Sequence, residues 1–150
     1  SLKEYYQRAR LKRGEDPDSE ESKEAFEELL DRYPDAYATA KVVSQRALIA
    51  MFTGDIESVE KYYGMLRESG NESFTGVVSD RGTEMMPNIE YFLARHYMRQ
   101  GRDNEAWLMT ESLENNYPGS FIFSGRRGRG TGWMTVPEAI ERIRSQEPGS

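Results

Sequence analysis

Apolar side chains recur along most of the chain at the three- and four-residue spacing that places them on one face of a helix. Acidic residues crowd the start of one such stripe, residues 25–33, where the positive end of the helix dipole favours negative charge. The same spacing predicts helices around residues 2–9, 36–52, 56–66, 89–97 and 106–117. Helices this short and polar are marginal in water by themselves, so we expect them to be stabilised by packing on one another.

Turn-forming residues separate these stretches. Gly54, Gly70 and Gly101 each end a helical pattern, and the run 14–19 is rich in turn residues. Residues 71–83 lack a helical period and are predicted to form a loop. The helices are therefore expected in antiparallel pairs.

Two of these helix pairs carry matching residues at matching positions, which indicates an internal repeat. Gly54 and Gly101 occupy the turn between the two helices of each pair. The residues five positions further on, Val59 and Ala106, are expected at the crossing of the two helices. The first and third pairs also end on the same dipeptide, Tyr-Pro, at residues 33–34 and 117–118.

This pattern resembles the tetratricopeptide repeat. The third unit, residues 87–118, carries the resemblance best, with family spacings at Leu93, Ala94, Tyr97, Gln100, Gly101, Ala106, Leu113 and Pro118. The second unit keeps Ala47, Gly54, Asp55, Val59, Tyr63 and Leu66, but it has Asn71 where the family usually has proline. The first keeps only its second half, with Ser22, Phe26, Leu29 and Pro34. The Tyr-Pro endings look like the bacterial cell-envelope subset of the family, and a generic array of helix hairpins is the alternative.

The resemblance implies an all-α fold, a right-handed superhelical stack of antiparallel helix hairpins with about three units and a C-terminal capping helix. The chain would be one domain, residues 1–150, with units at 2–34, 36–71 and 84–118, a Gly/Arg loop at 119–134 and the capping helix at 135–146. Stacking agrees with the hydrophobic pattern, because a hairpin with two apolar faces cannot bury both alone. Thr135 and Glu138 have the spacing of a capping box, which marks the start of the last helix.

Composition removes several kinds of functional site. The chain has no cysteine, which excludes disulfides, thiolate metal sites and cysteine nucleophiles. Its single histidine, His96, excludes a two-histidine metal site and argues against a Ser-His-Asp triad, and no carboxylate pair stands out as catalytic. The net charge of −6 argues against broad nucleic-acid binding.

No apolar run is long enough to span a membrane. The N-terminus lacks the features of a signal peptide, which leaves both cytoplasm and periplasm open.

In the fold that the resemblance implies, the first helix of each pair lines a concave groove. The family's spacing places in it Ser44, Leu48, Phe52 and Phe92, together with the residues predicted to bind a partner: Lys41, Gln45, Asn88, Tyr91, Arg95 and Arg99. Arg95 and Arg99 are four residues apart and therefore share a helix face. The chaperone-tail clamp of some relatives is not carried over, because Asn88 and Phe92 occupy its positions in the third unit.

The function predicted from these features is that of a non-catalytic scaffold. Arginine and aromatic side chains are enriched in binding hot spots, so a groove of this composition suits an extended peptide or an acidic segment. We expect the partner to be another protein or peptide, with no metal or cofactor, and self-association is left open.

The segment 125–132 is the most unusual in composition, with four glycines and three arginines. A phosphate-binding P-loop does not fit, because no lysine precedes Thr131, and a dinucleotide fingerprint fails at Trp133. The segment is predicted to be a connecting loop, in a hairpin between residues 121–123 and 133–134. The alternative is a nucleic-acid or polyanion site, because the guanidinium groups of Arg126, Arg127 and Arg129 can bind phosphate.

Overall fold

A computed structural model describes residues 1–12, 15–123 and 132–146 of the chain. Within these residues the protein is mainly helical, as predicted, and it also contains a two-stranded sheet. The helices are α1 (Leu2–Ala9), α2 (Glu20–Arg32), α3 (Tyr37–Thr53), α4 (Ile56–Glu68), α5 (Glu72–Thr75), α6 (Met85–Arg99), α7 (Asp103–Asn116) and α8 (Val136–Arg144). The strands are β1 (Phe121–Phe123) and β2 (Trp133–Thr135).

The chain divides into two compact units, unit 1 (Ser1–Ser79) and unit 2 (Asp80–Ser150). A single domain over residues 1–150 stays a prediction.

Unit 1 consists of two helix pairs and one short helix. Helix α1 packs on α2, α3 packs on α4, and α3 also contacts both α1 and α2. Residues 71–83, predicted as a loop, begin with the single helical turn α5, which the Asn71 side chain caps at its start. The turn is held against α3 and α4, and its Phe74 side chain is buried.

A buried arginine ties α3 to the preceding helix pair of unit 1. Arg46 is 6% exposed, and its two terminal nitrogens donate to the Pro17 carbonyl at 2.9 Å and to the Ser22 hydroxyl at 2.7 Å. The guanidinium carbon lies 4.7 Å from the centroid of the Phe26 ring. Ser22 in turn donates to the Ala9 carbonyl at 3.0 Å, which links α2 to the end of α1. The positive charge is thus surrounded by oxygen atoms and an aromatic face rather than left bare.

Unit 2 is built on the pair α6 and α7, with α8 in contact with both. The two strands pair in antiparallel fashion, Ile122 opposite Met134, and these two side chains are buried. The predicted hairpin partners are therefore confirmed. Helix α8 begins where the sequence predicted, because Thr135 accepts from the Glu138 amide and the Glu138 carboxylate accepts from the Thr135 amide.

The turns of the pairs α3–α4 and α6–α7 correspond in detail. Gly54 and Gly101 both adopt the left-handed conformation, with φ of 73° and 72°, which explains why glycine ends each first helix. Val59 and Ala106, five residues after each glycine, are both fully buried. The side chains expected at the helix crossings are therefore inside their units.

Candidate binding site

Two of the predicted binding residues lie on α3, where each makes hydrogen bonds within unit 1. The Lys41 ammonium donates to the Val78 carbonyl at 2.9 Å. The Gln45 amide forms a double bridge to Leu11, donating to its carbonyl at 2.7 Å and accepting from its N–H at 2.7 Å. Gln45 therefore stabilises the backbone that follows α1, and partner binding through Lys41 and Gln45 stays a prediction.

A third predicted residue, Asn88 on α6, is 7% exposed and holds strand β1. Its amide nitrogen donates to the Glu84 carbonyl at 2.7 Å and to the Phe121 carbonyl at 3.4 Å. Its amide oxygen accepts from the Phe123 N–H at 2.8 Å. Because these two backbone groups belong to the edge of β1 away from β2, Asn88 covers that edge. Partner binding by Asn88 likewise stays a prediction.

The remaining three predicted residues, Tyr91, Arg95 and Arg99, form what we call the α6 cluster. They follow one another at four-residue spacing, so they lie along one stripe of the helix. The Arg95 guanidinium carbon is 5.6 Å from the centroid of the Tyr91 ring. The Arg95 Nε–H donates to the side-chain oxygen of Gln146 at 2.9 Å. Ring and amide together fix the plane of the Arg95 guanidinium.

Hydrogen-bonding groups of the α6 cluster lack partners in the part of the chain that the structure describes. The Tyr91 side chain is 5% exposed, yet its hydroxyl makes no hydrogen bond there. Arg95 and Arg99 are half-buried, and within the described ranges neither forms an ion pair with a carboxylate. A buried hydroxyl without a partner is costly, so this arrangement favours a ligand that supplies acceptor atoms.

The electrostatics of the α6 cluster point the same way. Burial lowers the pKa of the Arg99 guanidinium from its usual value, the positive charge of Arg95 lowers it further, and Tyr91 acts in the opposite direction. Arg95 and Arg99 are thus two like charges close to each other in a partly desolvated place. Negative charge brought to this face would relieve their repulsion.

Other surfaces of unit 2 differ in character. The outward face of the sheet presents three exposed aromatic side chains, Phe121, Phe123 and Trp133. The Phe123 and Trp133 rings meet edge to face, with their centroids 5.3 Å apart. The alternative site predicted at Arg126, Arg127 and Arg129 lies outside the described residues.

Sequence reasoning missed two participants of this region. Gln146 is far from Arg95 in the sequence, and no spacing rule links them. The second is the exposed aromatic face of the sheet. The alternation Phe-Ile-Phe in β1 is typical of a strand with one buried and one exposed side, and it could have predicted this face. This pattern covers only three residues, which is too short to identify an exposed aromatic face from the sequence alone.

Comparison of the chain with protein-family models, with curated proteins and with solved structures finds no match. Across residues 1–12, 15–123 and 132–146, no group of three or more acidic or histidine side chains is arranged to hold a metal ion. None of the helices in these same ranges is both long enough and apolar enough to cross a membrane.

Proposed function

We propose that this protein is a non-catalytic helical-repeat protein that binds a segment of another protein, and that the α6 cluster is part of its binding surface. The observation that carries the proposal is the pair of half-buried guanidiniums, Arg95 and Arg99, on one helix face. Within the described residues no carboxylate neutralises them. Partly desolvated like charges are unfavourable without a counter-charge, and an acidic partner segment supplies one.

The proposal includes the tetratricopeptide-like repeat that the sequence resembles. Its support is local: three helix pairs, α1–α2, α3–α4 and α6–α7, and matching left-handed turns at Gly54 and Gly101. In this proposal the pairs are the units of a right-handed superhelical stack, and α8 is the capping helix. Proteins built this way act through exposed helix faces, which agrees with a role in binding rather than in catalysis.

The test is capture of partner proteins from an extract of the source organism, measured by quantitative mass spectrometry. The wild-type chain is compared with the double variant Arg95→Glu/Arg99→Glu. The matched control is Arg142→Glu/Arg144→Glu, which makes the same change of charge on α8. We expect one or a few proteins to be lost with the α6 variant and retained with the control. Equal capture by all three chains would contradict the α6 assignment.

The same experiment distinguishes protein binding from the alternative that the sequence leaves open, which is nucleic-acid or polyanion binding. A nucleic-acid or polyanion binder acting through Arg126, Arg127 and Arg129 would lose binding when those three residues are replaced. Its affinity would also fall steeply with added salt, because each phosphate contact releases counterions. A partner that survives nuclease treatment and depends on Arg95 and Arg99 favours protein binding.

A further inference from the structure

We infer that the α6 cluster binds a phosphoryl group, carried by a phosphorylated side chain of the partner segment. This inference rests on the proposed function, because it names the chemistry that the same surface would recognise. Three features of Tyr91, Arg95 and Arg99 support it: their charge, their donors and the way in which Arg95 and Tyr91 are held.

The charge of the α6 cluster matches a dianion. Arg95 and Arg99 are two positive charges on adjacent turns of one helix, and the Tyr91 ring lies against Arg95. A single carboxylate would neutralise one of the two guanidiniums and leave the other. A phosphorylated side chain carries about −1.5 to −2 charges at neutral pH, so it neutralises both.

The donors also match in kind and number. A phosphoryl group has three acceptor oxygens. Arg95 keeps its terminal amino groups for a ligand, because it is the Nε–H that donates to Gln146. The whole Arg99 guanidinium is without a hydrogen bond in the described part of the chain, as is the buried Tyr91 hydroxyl. The two guanidiniums thus offer donors to the phosphoryl oxygens, and the Tyr91 hydroxyl is a third donor that the described residues leave unused.

Arg95 and Tyr91 are held in place before the ligand arrives. Arg95 lies against the Tyr91 ring at 5.6 Å and is fixed by Gln146 at 2.9 Å, so its orientation costs little to maintain on binding. Tyr91 is 5% exposed and lies within a regular helix. A hydroxyl kept buried without a partner lowers stability, and this cost is recovered when a ligand oxygen accepts its hydrogen bond.

Nuclear magnetic resonance of the arginine Nε–H groups tests the inference directly. The probes are inorganic phosphate, phosphoserine and, as a dicarboxylate control, glutarate. We expect saturable shifts of the Arg95 and Arg99 signals with the two phosphates. Glutarate should bind about tenfold more weakly, since it lacks the three-oxygen face. Arg142 on α8, outside the α6 cluster, serves as the internal reference.

Variants separate a binding role from a structural one. Arg99→Gln and Tyr91→Phe should each weaken phosphate binding about tenfold or more. Tyr91→Phe should at the same time keep or raise the stability of unit 2, because it removes the unpaired buried hydroxyl. A purely structural role for Tyr91 predicts lower stability and unchanged affinity.

Two results would overturn the inference: equal affinity for glutarate and phosphate, or phosphate affinity that Arg99→Gln and Tyr91→Phe leave unchanged. If capture of a partner still required Arg95 and Arg99, the protein-binding proposal would stand and only the phosphoryl chemistry would fall. If capture did not require them, the proposed binding surface itself would be wrong.

Discussion

Replacing Arg46 by methionine is the sharpest perturbation of the fold. Methionine keeps the unbranched apolar stem of the side chain, but it is shorter than arginine and lacks the charge and both terminal donors. Pro17 is half-buried, so its carbonyl can bind water instead. The Ser22 hydroxyl keeps its own bond to the Ala9 carbonyl. What is lost is therefore the link from α3 to the first helix pair.

The magnitude follows from the contacts of Arg46. Each of its hydrogen bonds, at 2.9 and 2.7 Å, comes from a charged donor. Such bonds contribute about 1.5–3 kcal/mol net. The contact with Phe26 adds about 1–2 kcal/mol. Methionine recovers part of this by removing a buried charge, whose desolvation costs several kcal/mol. The recovered desolvation offsets part of the lost hydrogen bonds and of the lost ring contact, and we expect unit 1 to be destabilised by about 3 kcal/mol.

Amide hydrogen exchange is the suitable assay, because both tryptophans of the chain lie in unit 2 and their fluorescence does not report on unit 1. In Arg46→Met the slowest amides of α2 and α3 should exchange about a hundredfold faster. The matched control is Arg32→Met on α2, where an exposed arginine pairs with Glu28 at 2.7 Å and lies 5.6 Å from the Tyr5 ring. That change should cost about 1 kcal/mol or less. Equal exchange in the two variants, or slower exchange in Arg46→Met, would refute the reasoning.

Four further substitutions test other parts of the structure. Asn88→Ala should destabilise unit 2 by about 2 kcal/mol, because it uncovers the edge of β1; urea unfolding followed by tryptophan fluorescence checks this, and an unchanged midpoint would count against the edge role. Gly54→Ala should lower the free energy of unfolding of unit 1 by about 1 kcal/mol, because φ at this position is 73°. Gly64→Ala lies in a regular turn of α4 with free space around the new methyl group, so it should raise thermal stability. The pKa of the Asp55 carboxyl is lowered by hydrogen bonds from Ser58, first from its hydroxyl and then from its N–H. The stability that the ionised carboxyl contributes is therefore present above the unfolded pKa and is lost as pH falls through the folded pKa. Ser58→Ala should raise the pKa of Asp55 in a carbon NMR titration, and an unchanged pKa would contradict the assignment.

Much of the backbone followed from local sequence. Helical periodicity located the long helices, because their packed faces repeat within each helix. Glycines in the left-handed conformation ended α3 and α6, and the capping box of Thr135 and Glu138 began α8. Each of these features is decided by residues within a few positions of one another.

The roles of polar side chains did not follow from the sequence. Gln45 bonds to Leu11, and Asn88 bonds to Phe121 and Phe123, so each partner lies more than thirty positions away. Arg46 is buried although its residue type is most often exposed. The spacing of residues along a helix indicates which side chains share a face. It does not indicate whether the hydrogen-bond donors of those side chains are already bonded to other groups of the protein.

The central claim is that a partner segment binds on the face of α6 that carries Tyr91, Arg95 and Arg99. Chemical-shift mapping with a captured partner's binding segment, titrated into the labelled full chain, tests it most directly. The account predicts that the largest changes fall on the amides and guanidiniums of α6 and near Gln146, and that Arg95→Glu/Arg99→Glu abolishes them. Changes centred on another surface, such as the exposed aromatic side chains of β1, with α6 unaffected, would contradict it.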